Sequence, residues 1–443
     1  MKLLLAETKN KARRYFTIQG DGYYKFLILF ERIIDYIDQS NRDVYNLEGL
    51  FIELWGNGKN IELLVYCVNE IINKRIINKD EYEIYLKEIQ SLDASYLSTN
   101  SWKEMSFTAN AFGLLSMGYA FRKKAIESAF LENKKSDINK ISSEITAAID
   151  IGNPQIIKRT INKYYRMRMA PLLTCNIRKQ HALINIYLGN ISKANKLLKR
   201  YFNKDDIWFA NYINNKSIAI VGSAPSELLQ GNEIDSFDIV VRLNTFFEEG
   251  KENKKIVGSK TNIIYMGKQL TIDMARSKQL GSCINDVEIA VISNLSVLDK
   301  SDVRIANRVR QFFLDRNIFF MGFPNMVQRA LFDLLLFKPK RIKIFNTNFY
   351  LSSNVYREKV SYTVNDSEFL LAFALHDSYA QLNVVRNLFN KGIVEVDNDC
   401  RYVCCLSNEE YASRMEQLYS LSDMKDFHRS NWGNTLKREV RLC

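Results

Sequence analysis

Several things are scarce or missing in this chain. Only five prolines occur in 443 residues, and Pro154 and Pro171 are the only two in the first 210. Each of those two suits a helix boundary, and the long stretches between them are free to run as helix. No run of eighteen uncharged apolar residues exists, which excludes a spanning helix; the best candidate, Tyr23–Ile37, is cut by Lys25, Glu31, Arg32 and Asp35. The opening MKLLLAETKNKARR has too short an apolar core for a secretion signal. The seven cysteines are an odd number with no C-x-x-C, and Cys404-Cys405 lacks metal-ligand spacing. That usage suits a reducing compartment, so the expected location is a cytoplasm. Histidine is limited to His181, His376 and His428. No arginine-rich tract and no known nucleic-acid module accompany the net charge of +12, so no nucleic-acid partner is expected.

What remains is the composition of an ordinary globular protein, 47% hydrophobic and 25% charged, long enough for two domains. Residues 1–210 read as an all-α domain. Apolar positions recur at helical spacing in Phe26, Leu29, Phe30, Ile33 and Ile37, and again in Leu63, Leu64, Cys67, Val68, Ile71 and Ile72. Ala182–Phe202 reads as two amphipathic segments meeting at Gly189-Asn190, either one hairpin of a tetratricopeptide-type array or part of a plain bundle. The polar, Asn-rich Lys204–Lys216 marks the boundary, and 211–443 form the second domain.

In the second domain, short β-branched runs alternate with helical patterns, which predicts a doubly wound, mostly parallel α/β sheet. The expected strands are Ser217–Val221, Asp238–Leu243, Thr261–Met266, Val287–Ser293, Asn317–Met321 and Arg341–Phe345, with a helix over Pro324–Phe337. Ser217–Val221 breaks at Gly222-Ser223-Ala224-Pro225, a small-residue turn that should open a helix near Pro225. Such a turn points backbone N–H groups into one hollow and attracts phosphate, although many are no more than tight connections. No G-x-G-x-x-G follows, which argues against a dinucleotide. Gly222, Ser223 and Asn244 all fall beyond the carboxyl ends of strands, where ligands sit in open α/β sheets.

The order IVGSAPS, EIDSFDIVVRLN, VGSKTNIIYM resembles the large sialyl motif of the sialyltransferases, glycosyltransferase family 29, over about fifty residues. The resemblance implies a Rossmann-like sheet of the GT-A-variant sialyltransferase type that binds a CMP-sugar donor over Gly222, Ser223 and Asn244. GFPNMVQRALFDLLLFKPKRIKIFNTNFY stands where the family has its small motif. Its turn is Pro324-Asn325-Met326-Val327 in place of Pro-Ser-Ser/Thr-Gly, with Asn325 as the substitute for the hydroxyl contact. The disulfide of animal members would fall near Ile218-Ala219 and Lys338-Pro339, where no cysteine stands. The segment from His376 resembles the family's very small motif, whose histidine is the catalytic base; Gln381 replaces the Glu expected five residues on. Tyr362, fourteen residues before His376, stands near the family's third motif and is the candidate for bonding the donor phosphate.

The expected reaction is an inverting displacement that moves an acidic sugar, sialic acid first and Kdo as the alternative, from its CMP conjugate to a glycan hydroxyl. His376 takes the hydroxyl proton. No cofactor and no metal are expected, because one phosphate carries less charge than a diphosphate, and Asp397-Asn398-Asp399 reads as a turn. The acceptor would be a glycan or lipid-linked oligosaccharide of a bacterial surface. The C-terminal DMKDFHRSNWGNTLKREVRLC, basic with Phe427 and Trp432, is either solvated or a peripheral contact with the anionic inner face of the cytoplasmic membrane. A reading of another class is a helical scaffold whose α/β half binds a nucleotide without catalysis.

Overall fold

A computed structural model describes residues 86–111, 114–132, 138–166, 174–244, 253–274, 287–292, 309–312, 318–352 and 373–419, apart from a few positions inside these spans. The helical periodicities read at 26–37 and 63–72, and the basic C-terminal segment, lie outside the described residues. By packing, the described residues through Glu144, with those from Ala412 on, form one compact unit, and Ile145–Tyr411 form another. Position 210 falls inside the second unit, within a helix (Lys204–Ile213).

In the first unit, α1 (Thr99–Ala111) and α2 (Leu115–Leu131) pair as a hairpin. Gly118 allows the close approach, since a Cβ there would lie 2.0 Å from Asn110 Oδ1. Trp102 is fully buried, its ring 6.1 Å from that of Phe121, and its indole N–H donates to the Ala94 carbonyl. Burying that indole is tolerable only because its one polar atom has a partner.

Among the described residues, α2 is followed by α3 (Ile138–Ile151), α4 (Pro154–Arg166), α5 (Thr174–Tyr187) and α6 (Ile191–Leu198). Pro154 opens α4, the first helical position that proline suits. The turn between α5 and α6 passes through Gly189 at φ +85°, and α6 buries Ala194 and Leu198. Helix α7 (Lys204–Ile213) starts on a capping box in which Asn203 and Asp206 bond each other's backbone N–H.

The rest of the second unit is an α/β layer: β1 (Ser217–Val221), α8 (Gly231–Asp235), β2 (Ile239–Leu243), α9 (Lys254–Val257), β3 (Ile263–Met266), β4 (Ile289–Ile292), β5 (Val309–Gln311), α10 (Met326–Leu336), β6 (Arg341–Phe345), α11 (Ser378–Asn390), β7 (Glu395–Val396), α12 (Asn398–Cys405) and the start of α13 (Asn408–Tyr419), whose residues from Ala412 on belong to the first unit. The seven strands order as β5-β4-β3-β2-β1-β6-β7, and every pair is parallel. Burial on both faces explains the unbroken apolar runs: Ile218 to Val221 and all of β2, β3 and β4 are buried. Ala219, Val221, Val240 and Phe345 share one cluster with Ile234 and Phe237, the residues that lead into β2. The α5–α6 hairpin packs on α10, tied by Asn195 Nδ2 donating to the Leu336 carbonyl at 2.9 Å.

One expected strand is corrected. Ile318–Met321 is not a strand; the sheet's edge beyond β4 is β5 instead. The apolar run is buried all the same, with Ile318, Phe319 and Phe320 set against Tyr187, Ala380 and Val384 around a small cavity. Its chain is drawn away from the sheet by Met321 N–H, which donates to Asp377 Oδ2 at 3.0 Å. Strand β5 carries a buried Arg310. The guanidinium bonds Asp206 of α7 at 2.8 Å and Asp333 of α10 at 2.5 Å, and lies over the rings of Phe209 and Phe337 at 4.4 and 4.9 Å. Tyr265 of β3 donates to the same Asp333 at 2.7 Å. A charge this deep is held only by such complete pairing.

Candidate functional site

Strand order reverses between β1 and β6, and the crevice beyond their carboxyl ends is where an open α/β sheet takes its ligand. Gly222 stands there. Its N–H donates to the Phe345 carbonyl at 2.8 Å, and Ala224 N–H donates to the Asn346 carbonyl at 3.0 Å. A Cβ on Gly222 would lie 2.3 Å from the Asn346 carbonyl oxygen and 2.4 Å from Thr347 Oγ1. Glycine is therefore required for the two loops to meet. Ser223 beside it is half-buried.

The helix expected at Pro225 does not form; 222–230 is non-helical, and α8 begins at Gly231. The physical reason is that the segment is held along the ends of other elements. Besides the bonds to β6, Ser226 Oγ donates to Asp399 Oδ2 at 2.7 Å, and Gln230 Nε2 donates to Asn346 Oδ1 at 2.5 Å and Asp397 Oδ2 at 3.0 Å.

Asp397 is the centre of that knot. It caps α12 by accepting from Cys400 N–H at 2.9 Å, and it accepts from Asn346 N–H at 2.7 Å. Burial pushes its carboxyl up to about 6, opposed by the N–H bonds from Cys400, Asn346 and Gln230. The D-x-D at 397–399 is thus a helix start rather than a plain turn, with both carboxylates committed to protein donors. Asn346 is 1% exposed, holds φ +49°, and its Nδ2 has no partner. Sequence reasoning passed over Asn346 and Gln230, and read Asp397 only as part of a turn. The signal for Asn346 was present: like Asn244, it is an Asn ending a buried apolar strand, a position where the left-handed conformation suits that side chain.

Asn244 ends β2 at φ +56°, and its Oδ1 accepts from Gly267 N–H at 2.7 Å, joining the ends of β2 and β3. A Cβ on Gly267 would stand 3.4 Å from Asn244 Oδ1 and 3.8 Å from Met326 Sδ, so the first turn of α10 lies beside them. Asn325 caps α10: its Oδ1 accepts from Val327 N–H at 3.0 Å and Gln328 N–H at 3.4 Å. A ligand there would meet the amide nitrogen, since the oxygen is engaged.

His376 directly precedes Asp377, the cap of α11, which sits at φ +45° and accepts from Ala380 N–H at 3.1 Å. The imidazole hydrogen-bonds the backbone at Phe323, while Nδ1 is buried and has no partner. Burial first, and the Arg329 guanidinium second, push its pKa down to about 4 against the Phe323 bond, so the ring is neutral at pH 7. Gln381 ties this segment to α10. Its Nε2 donates to the His376 carbonyl, its Oε1 accepts from Asn325 N–H at 3.3 Å, and its carbonyl accepts from Gln328 Nε2 at 3.1 Å.

The structure therefore joins His376 to Asn325 through Gln381 and sets Asn244 by the same first turn of α10. Gly222 is joined to Asn346 across the crevice. Gly222 and Asn244 follow neighbouring strands, in which Val221 pairs with Arg242. Tyr362 lies outside the described residues. Comparison with protein-family models, with curated proteins and with solved structures gives no match.

Proposed function

We propose that the protein is a CMP-sugar-dependent glycosyltransferase of the sialyltransferase type, moving an acidic sugar to a glycan hydroxyl with inversion. The observation that carries this reading is the bare, buried Nδ1 of His376, on a segment docked to the first turn of α10 beside the end of β2. A ring fixed by one hydrogen bond and unbonded at the other nitrogen has the form of an oriented base. The acceptor hydroxyl would give its proton to His376 as its oxygen bonds the anomeric carbon, and the electron pair of the sugar–phosphate bond would leave with CMP. A neutral imidazole of low basicity accepts that proton only late, once bond formation has made the hydroxyl acidic. The donor phosphate beside it would raise its pKa and ease the transfer.

Sialic acid is the preferred sugar and Kdo the alternative, with a surface glycan or lipid-linked oligosaccharide as acceptor. Among the described residues no helix is long and apolar enough to cross a membrane. A peripheral hold on an anionic inner leaflet, through the basic C-terminus of a cytoplasmic enzyme, fits a lipid-linked acceptor. Gln381, an amide bonded to the His376 carbonyl and Asn325 N–H where the resemblance expects a carboxylate, favours the second reading, a nucleotide-binding scaffold without catalysis. The test is CMP release from CMP-sialic acid in the presence of acceptor glycans. His376→Ala and His376→Gln should lower transfer by about 100-fold or more while CMP still binds. Retention of most activity by both variants would defeat the base assignment.

A further inference from the structure

The sequence places a Gln at 381, where a histidine motif of the kind it resembles carries an acid, and the bonds made by that side chain show what an amide does there. It is 1% exposed. Its Nε2 meets the His376 carbonyl oxygen and its Oε1 meets the Asn325 N–H. The orientation is forced, because the reverse would set oxygen against oxygen and N–H against N–H. One side chain must donate and accept at once. A carboxylate accepts only, and would face the His376 carbonyl with negative charge. Gln328 completes the contact by donating to the Gln381 carbonyl, while its Oε1 is buried without a partner.

We propose that Gln381 is the positioning residue for His376, an amide clamp that fixes the imidazole-bearing segment to the first turn of α10. The clamp rests on His376 being the base of the proposed transfer, but its action on the ring can be read without any transfer. It explains why Nδ1 stays both bare and buried: the carbonyl of His376 is held by Gln381, and the carboxylate of the next residue, Asp377, accepts from Met321 N–H and Ala380 N–H. Among the described residues the charged side chains at this assembly are Asp377 and Arg329, and Arg329 Nε is itself bonded to the Pro324 carbonyl at 3.0 Å.

The experiment is an NMR titration of the His376 ring in the full chain, assigned against His376→Gln among only three histidines. Melting temperatures are recorded at pH 4 and pH 8. Gln381→Met keeps the volume and removes both bonds; the clamp predicts that the His376 pKa rises by a unit or more as the ring reaches solvent. Gln381→Glu, protonated at pH 4, still donates and accepts, so it should melt close to wild type there and fall several degrees behind at pH 8. If Gln381→Met does not fold, the pH-dependent gap of Gln381→Glu decides by itself. An unmoved His376 titration in Gln381→Met overturns the proposal, as does a gap in Gln381→Glu that is the same at both pH values. A shifted His376 titration in a protein that never releases CMP keeps the clamp and removes the transferase reading. Active transfer with an unmoved titration does the reverse.

Discussion

The two regions that carry the family-like pattern behave differently. Ahead of β2 and β3, Asp235 accepts from Ser259 N–H, Ser259 Oγ and Lys260 N–H. Arg242 donates to the carbonyls of Val257 and Gly258 and to Thr261 Oγ1, and Lys260 Nζ donates to the carbonyls of Phe237 and Asp238. Gly258, at φ +67°, lets Asp235 close in, since a Cβ there would lie 2.4 Å from its Oδ1. The acidic, arginine and Gly-Ser-Lys positions of the motif therefore hold the fold together. Beyond the carboxyl ends, Asn346 Nδ2 and His376 Nδ1 are buried and unbonded, and the non-glycine residues Asn244, Asn346 and Asp377 are all at positive φ. A motif can thus be recognisable mainly through residues that build the sheet.

Substitutions should separate the two regions. The largest effect is expected from Arg242→Met, which leaves the buried carbonyls of Val257 and Gly258 unpaired. We expect a loss of about 3 kcal/mol in urea unfolding, with CMP binding by the folded fraction unchanged. A loss of CMP binding without a loss of stability would reverse the assignment of the two regions.

The next effect is one of pH. The folded pKa of Asp397 is raised from 3.8 to about 6, so its contribution favours folding on the acid side and is lost as pH rises through that window. His376 is lowered from 6.5 to about 4, so the stability it allows above 6.5 is lost as pH falls. Each amounts to about 3 kcal/mol, and the two nearly cancel in the wild type. His181, also pushed down to about 4 by burial, adds to the His376 side. Asp397→Asn should then lose stability steeply between pH 6 and 4, and His376→Gln should stay nearly level there, because His181 still offsets Asp397. Parallel profiles for wild type and both variants would show that neither group is buried as described.

The smallest expected effect is that of Asn346→Gly. The positive φ is kept, the cost in stability stays near 1 kcal/mol, and CMP affinity falls about tenfold through loss of the unbonded amide. Unchanged affinity would move the ligand away from the crevice between β1 and β6.

The sequence made legible those elements whose burial is uniform. Ser217–Val221 and Arg341–Phe345 match their strands at both ends, and α10 is short of its expected span because Asn325 and Phe337 are its two caps. Strand β5 was hidden because its central residue is Arg310, whose partners Asp206 and Asp333 lie 104 and 23 residues away. The Ile318–Met321 run misled for the converse reason, since short apolar stretches fit equally a strand and a core filled by helices. The places of Gly222 and Asn244 beyond strand ends, and of His376 ahead of a helix, could be read from local pattern. The Gln230–Asn346–Asp397 knot could not, because it forms only when three loops meet.

The most direct measurement of the central claim is a thermal-shift comparison of the full chain with CMP, CDP, UDP and GDP. A single-phosphate cytidine pocket predicts selective stabilisation by CMP, by several degrees at saturation. Equal shifts with all four nucleotides, or none with CMP, would contradict it.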